Sequence, residues 1–146
     1  MASTGAQREG ELSLGRIQRI AEFRAQLRAF TSRSDEVARR WQLTPQRYLL
    51  LLMVVGSPDG AERLKLTEIA ERLRLSPNTA TELVTRAEEL GLVQRAQADH
   101  DQRVVFVSAT VEGKRRLVGA IEENERARSE LNPAFARLAR SFRDTA

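Results

Sequence analysis

Residues 66–83 limit what this chain can fold into more than any other stretch. Two short helices joined by a tight turn are written there. Thr67 stands where an N-cap belongs, ahead of an inward set of Ile69, Ala70 and Leu73. Ser76-Pro77 repeats the signal for a second helix, since serine caps well and proline at the first helical position lacks only an N–H that would be unpaired there anyway. Helices that cross closely need a small residue at the crossing and apolar residues that lock one onto the other. Ala70 is that small residue, Leu75 plugs the turn, and Ala80 and Leu83 face inward. Left on the outer face are Pro77, Asn78, Thr81, Glu82, Thr85 and Arg86, with Thr79 at the border. Threonine is a mediocre helix former, so an asparagine and three threonines on one solvent face call for a reason beyond solubility. Short donors and acceptors of this kind reach base edges or phosphates at small entropic cost.

The flanking segments supply the rest of the architecture. In residues 12–41 the apolar positions Ile17, Ile20, Phe23, Leu27, Phe30, Val37 and Trp41 recur in steps of three, four or seven, the stripe of a long amphipathic helix. Thr44-Pro45 opens the next helix, apolar nearly all round over residues 48–55 and therefore expected to be deeply buried. Residues 56–60, Gly-Ser-Pro-Asp-Gly, end it with turn chemistry. Leu64-Lys65-Leu66 reads as a short extended piece, and Gly91 as the glycine that closes the helix begun at Ser76. Residues 92–95 and 103–108 read as two strands joined through a tight polar segment, 96–102, that is, a hairpin. Thr110 caps a last long helix bearing Leu117, Val118, Ile121 and Leu131. Asn132-Pro133 is expected to break it, leaving Phe135, Leu138 and Phe142 on a short terminal helix.

The fold class expected is mainly α with a small β hairpin (α+β): a winged helix-turn-helix lobe over 43–108, flanked by dimerisation helices over 12–41 and 110–143. These make one domain over 12–146, preceded by a disordered tail at 1–11. The lobe already reads as a compact unit, so the apolar stripes of the outer helices are surplus to its core. In water they would form an exposed patch larger than monomers usually carry, and pairing with a two-fold copy buries them. A homodimer of this kind sets two recognition helices in successive major grooves, about 34 Å apart. An intramolecular helical bundle is the alternative.

Composition narrows the chemistry. The chain of 146 residues carries a formal charge of +4, contains no cysteine and has a single histidine, His100. Disulfides, thiol redox switching and cysteine-ligated zinc are excluded. No acidic cluster suggests a metal site, and no glycine-rich phosphate loop or credible histidine constellation suggests an enzyme. A basic balance fits a polyanionic partner, although nearly all the cations are arginines, a skew that a GC-rich genome also produces. The longest apolar run, residues 49–55, falls far short of the ~20 residues that span a bilayer. The polar first ten residues lack the pattern of a secretory signal. A cytoplasmic protein without cofactor is expected.

Asp101-Gln102-Arg103 sits at the expected hairpin tip. An arginine there can enter a minor groove, and an aspartate two residues away can hold its guanidinium by a bidentate pair.

Taken together, the sequence resembles the MarR family of transcription regulators over residues 12–142. Leu43-Thr44-Pro45-Gln46-Arg47-Tyr48 is similar to the family's opening of its second helix. Leu66-Thr67-Glu68-Ile69-Ala70-Glu71-Arg72-Leu73 with residues 76–86 is similar to its helix-turn-helix. Asp101-Gln102-Arg103, followed by Val107-Ser108-Ala109-Thr110-Val111-Glu112-Gly113, is similar to its wing and the start of its dimerisation helix. One departure is Arg74-Leu75 in the turn, where many helix-turn-helix proteins carry glycine, so either Arg74 takes an unusual backbone conformation or the turn is slightly wider. The resemblance implies a homodimeric repressor acting on double-stranded DNA at a palindromic operator and released by a small aromatic or anionic effector. Asn78, Thr79, Thr81, Glu82 and Thr85 are then expected at base edges. Ser76, Arg86 and Arg95 are expected at phosphates, with Arg103, braced by Asp101, in the minor groove. Phe30, Trp41 and Tyr48 lie near the expected effector site, and plain core is the favoured reading of each. A winged helix used only for protein contacts is the competing function.

Overall fold

The structure, a computed structural model, describes residues 13–143, apart from the side chains of 126–132, 134–136 and 138–143. The tail expected at 1–11 lies outside the described residues, as do the side chains of Leu131, Phe135, Leu138 and Phe142. Along the chain run α1 (Leu14–Arg40), α2 (Pro45–Val55), β1 (Arg63–Lys65), α3 (Leu66–Leu73), α4 (Pro77–Glu89), β2 (Val93–Ala98), β3 (Asp101–Ala109) and α5 (Val111–Arg143). The chain divides into two units: residues 33–125, and a smaller one holding the outer parts of α1 and α5, before 33 and beyond 125. In the smaller unit, Leu14, Ile17 and Ile20 of α1 are exposed, while Phe23, Leu27 and Phe30 are half-buried.

The larger unit has one core. Leu50, Leu51 and Val54 of α2 meet Ile69 of α3, Val84 and Ala87 of α4, Leu92 and Val107 of the hairpin, and Leu117 and Ala120 of α5. The caps follow the local signals at three of the four sites expected. Thr44 Oγ1 accepts from the Arg47 N–H and Ser76 Oγ from the Thr79 N–H. Thr110 Oγ1 accepts from the Gly113 N–H at 3.0 Å and donates to the Gly91 carbonyl at 2.6 Å. Three helices end alike, on a left-handed residue with paired backward hydrogen bonds. Gln42 (φ 58°) closes α1, Arg74 (φ 54°) closes α3 and Gly91 (φ 73°) follows α4. The backward bonds run from Leu43 N to Ala38 O, from Leu75 N to Ala70 O and from Leu92 N to Ala87 O, each 2.9 Å. Arg116, hydrogen-bonded to Glu112, also donates to the Gln42 carbonyl at 3.2 Å and so joins α5 to the end of α1.

Thr67 is not a cap. β1 runs straight into α3, so Lys65 is both the last strand residue and the N-cap, and the Glu68 carboxylate accepts its backbone N–H at 2.9 Å. The extended piece joins the sheet: strand order is β1-β3-β2, all antiparallel, with Leu64 opposite Val107 and Arg63 lying 4.0 Å over the Phe106 ring. The hairpin strands are longer than expected and only Asp99-His100 turn the chain. Pairing slips between Gln97 opposite Val105 and Ala98 opposite Asp101, so Gln102, Arg103 and Val104 fall within the irregularity rather than at the tip. α5 passes through Pro133 without a break. A proline deletes one backbone hydrogen bond, a local loss within a helix of 33 residues.

Two substitutions probe these joints. A Cβ on Gly113 would lie 2.1 Å from the Leu92 carbonyl oxygen and 3.1 Å from Leu51 Cδ2. Gly113→Ala is therefore expected to cost about 3 kcal/mol, the upper end for overpacking, in urea unfolding. Arg74→Gly relieves a left-handed residue that carries a side chain and should add about 0.5–1 kcal/mol by the same measurement.

Candidate nucleic-acid interface

α3 and α4 pack against each other, Ala70 and Ala80 are both buried, and Leu75 packs half-buried against the core. The apolar positions Ala80, Leu83, Val84 and Ala87 face inward, which leaves Pro77, Asn78, Thr79, Thr81, Glu82 and Arg86 exposed and Thr85 half-buried. This matches the face read from the sequence. Some of its hydroxyls are already engaged. Ser76 Oγ donates to Thr79 Oγ1 at 2.8 Å, and Thr81 Oγ1 donates to the Pro77 carbonyl at 2.9 Å. The Thr79 hydroxyl accepts in its pair, so its own hydrogen stays available.

The hairpin is fastened to this helix. Glu88, in the last turn of α4, accepts from the Arg95 backbone N–H at 3.0 Å and from its guanidinium at 3.0 and 3.3 Å. Arg95, expected at a phosphate, is thus committed to a carboxylate seven residues earlier. Sequence reasoning passed over Glu88 because the pair closes across the Gly91 turn. Farther out, Asp101 Oδ1 accepts from both the Arg103 N–H at 3.0 Å and its Nε at 3.4 Å. One oxygen serves both donors, so the pair is not the bidentate one expected, and the Arg103 side chain stays 92% exposed. His100 is exposed in the turn.

Two hollows flank α4. One, of about 270 Å³, lies between the starts of α3 and α4 and the strand β3; Lys65, Leu66, Ala70, Thr81, Arg103 and Val105 are among its walls. The other, of about 460 Å³, separates the start of α2 from α4; Thr44, Gln46 and Arg47 face Thr79, Glu82 and Arg86 across Leu83.

The three aromatic residues expected near an effector site are placed differently. Tyr48 belongs to the core, 6% exposed. Trp41 rests on Gly119, where an added Cβ would come within 2.6 Å of its ring, and its Nε1 donates to Glu123 Oε1 at 3.0 Å. Glu123 is held in turn by Arg40 at 3.1 Å. Phe30 is half-buried in the smaller unit. Among the described residues no group of histidine, aspartate or glutamate side chains is arranged to hold a metal ion, and no helix is long and apolar enough to cross a membrane.

A helix-turn-helix followed at once by a β-hairpin, with a third strand on its edge, is a winged helix-turn-helix, the class of the nucleic-acid-binding regulators. The model of the MarR family matches residues 41–104. The transcriptional regulator HosA of Escherichia coli O157:H7 is 30% identical over 119 residues, 73% of this chain and 85% of that protein. The transcriptional repressor MdtR of Bacillus subtilis is 37% identical over 62 residues, where the match spans 42% of this chain and only 40% of the repressor. Among solved structures, the MarR-family regulator Sco3205 of Streptomyces coelicolor, in complex with DNA, aligns over 95% of this chain and 92% of its own with TM-score 0.71 and 19% identity. NadR, in complex with 4-hydroxyphenylacetate, aligns over 99% of this chain and 94% of its own with TM-score 0.67 and 20% identity. The chain belongs to the MarR family of transcription regulators.

The Arg95 hydrogen bonds hold the Glu88 carboxyl below its ordinary value of 4.5. With a folded value that is lowered, the pair is whole above pH 4.5 and is lost as pH falls through the lowered value. Followed by NMR from pH 7 to pH 2, the Arg95 amide should shift with a midpoint below 4.5, and Glu88→Gln should abolish that titration.

Proposed function

We propose that this protein is a sequence-specific regulator of transcription that binds double-stranded DNA as a cytoplasmic homodimer, represses at a palindromic operator, and lets go when a small molecule binds. The observation that carries the DNA reading is the exposed face of α4. Ser76 caps it, the buried row Ala80, Leu83, Val84 and Ala87 anchors it, and Arg103, paired with Asp101, is almost fully exposed on the adjoining hairpin. A helix seated in a major groove offers its first two turns to base edges, and phosphate contacts fix its register. On this reading Asn78, Thr79, Thr81, Glu82 and Thr85 meet bases. Arg86 meets a phosphate and Arg103 enters the minor groove with Asp101 as its brace. Ser76 acts mainly by holding the start of α4, and Arg95 reaches a phosphate only at the expense of its pair with Glu88. The DNA complex of Sco3205 supports the docking mode.

Support for the homodimer comes from the exposed apolar row Leu14, Ile17 and Ile20 on α1, which a two-fold partner would cover. NadR bound to 4-hydroxyphenylacetate supports an aromatic, anionic effector here. An effector releases DNA only to the extent that it prefers a conformation in which the two lobes no longer match successive grooves. Trp41 is the only tryptophan in the chain, so its fluorescence reports whether such a ligand reaches it.

Selection from a random duplex pool should return an inverted repeat, and sedimentation should give a dimer. Against the selected site, Arg86→Ala should weaken binding on every sequence alike and lower the slope of log K against log salt by about one unit per chain. Arg103→Ala should relax preference mainly at flanking A·T positions. Specific binding that survives the double change Arg86→Ala, Arg103→Ala would overturn this assignment.

A further inference from the structure

We propose that the hollow between α2 and α4 seats one phosphate of the DNA backbone, gripped from opposite sides by Arg47 and Arg86. The inference rests on the DNA reading and adds to it a residue that the outer face of α4 does not contain. Arg47 lies in the first turn of α2, where the Thr44 cap holds its backbone N–H at 3.2 Å. Thr79, Leu83 and Arg86 of α4 fall at helical spacings of four and three, so they present one stripe toward that turn. Leu83 is buried and closes the floor. Arg47 and Arg86 stand on either wall of a hollow of about 460 Å³.

The two guanidinium groups are unspent. Among the described residues five arginines of the larger unit form ion pairs: Arg40 with Glu123, Arg95 with Glu88, Arg103 with Asp101, and Arg115 and Arg116 with Glu112. Neither Arg47 nor Arg86 has such a partner, although Glu82 lines the same hollow. Two cations left unmatched around one opening, with a single carboxylate between them, keep an excess of positive charge there. Guanidinium forks fit phosphate oxygens. The Gln46 amide adds a neutral donor on the wall of α2. Water alone would fill a hollow of this size as well, but would leave the excess positive charge unmatched.

A shared phosphate makes the two arginines energetically coupled, whereas two separate phosphates would make their losses multiply. The test is a double-mutant cycle read by fluorescence anisotropy on a random-sequence duplex of about 24 base pairs, long enough for two grooves one turn apart, with chloride varied. Arg47→Ala and Arg86→Ala should each weaken binding about tenfold per chain. The double variant should lose far less than the product, and its salt slope should fall by about 0.9 per chain, no further than in Arg86→Ala alone. Arg47→Lys should recover part of the loss, because it keeps the charge and not the fork. Unchanged affinity in a folded Arg47→Ala, checked by its melting curve and repeated with Arg47→Gln, overturns the proposal, and so do fully multiplying losses. Inorganic phosphate supplies the remaining arm. It should displace the duplex better than chloride at equal ionic strength and lose that advantage in the double variant, whereas an advantage that the double variant keeps overturns the proposal. Failure of the unaltered protein to bind any duplex would instead remove the DNA reading itself.

Discussion

The geometry of the lobe hangs on the contact between the first turn of α5 and the backbone at Gly91-Leu92. The Leu92 carbonyl accepts from the Thr110 N–H, and the Thr110 hydroxyl bridges the Gly91 carbonyl and the Gly113 N–H. Gly113 permits the approach, since any side chain there would strike the Leu92 carbonyl. Because α4 closes on Gly91 and β2 starts at Val93, the same few residues fix the exit of the recognition helix, the root of the hairpin and the entry of the last helix. The relation of Arg103 to the face of α4 follows from that knot and from the Glu88 pair beside it.

Much of this was legible locally. Thr44, Ser76 and Thr110 cap helices because a hydroxyl three residues ahead of an orphan N–H needs no distant partner to work. Gly91 was readable as a helix closure, and of the two outcomes that the missing glycine left open, an unusual backbone at Arg74 or a wider turn, the first is found. Reading failed where the deciding partner is remote or unusual. Thr67 looked like a cap until β1, pairing with a strand some forty residues later, placed Lys65 there instead. The hairpin looked short because Ala96, Gln97 and Gln102 carry no strand signal, yet pairing with β3 extends β2 to Ala98. Pro133 looked like a stop, yet α5 runs on.

The candidate site was legible to the same degree. The outer face of α4 follows from helical spacing, so its residues were identified one by one. Electrostatic partners were not, because ion pairs across turns depend on tertiary placement. Arg95 read as a free cation and is tied to Glu88, while Arg47 drew no attention as part of a helix opening and stands unpaired beside α4. The aromatic residues taken as effector contacts divide likewise. Tyr48 is core, and the seat of Trp41 depends on Gly119, nearly eighty residues away.

The hydrogen bond from the Thr81 hydroxyl to the Pro77 carbonyl has a thermodynamic consequence. A threonine bonded to the turn below it keeps one rotamer, and Ser76 with Thr79 restrains a neighbouring pair in the same manner. Side chains ordered in advance have little torsional freedom left to surrender when something docks against them. The exposed surface of α4 is thus preorganised by its own first turn, and encounter draws less upon entropy than a face of lysines or glutamines would.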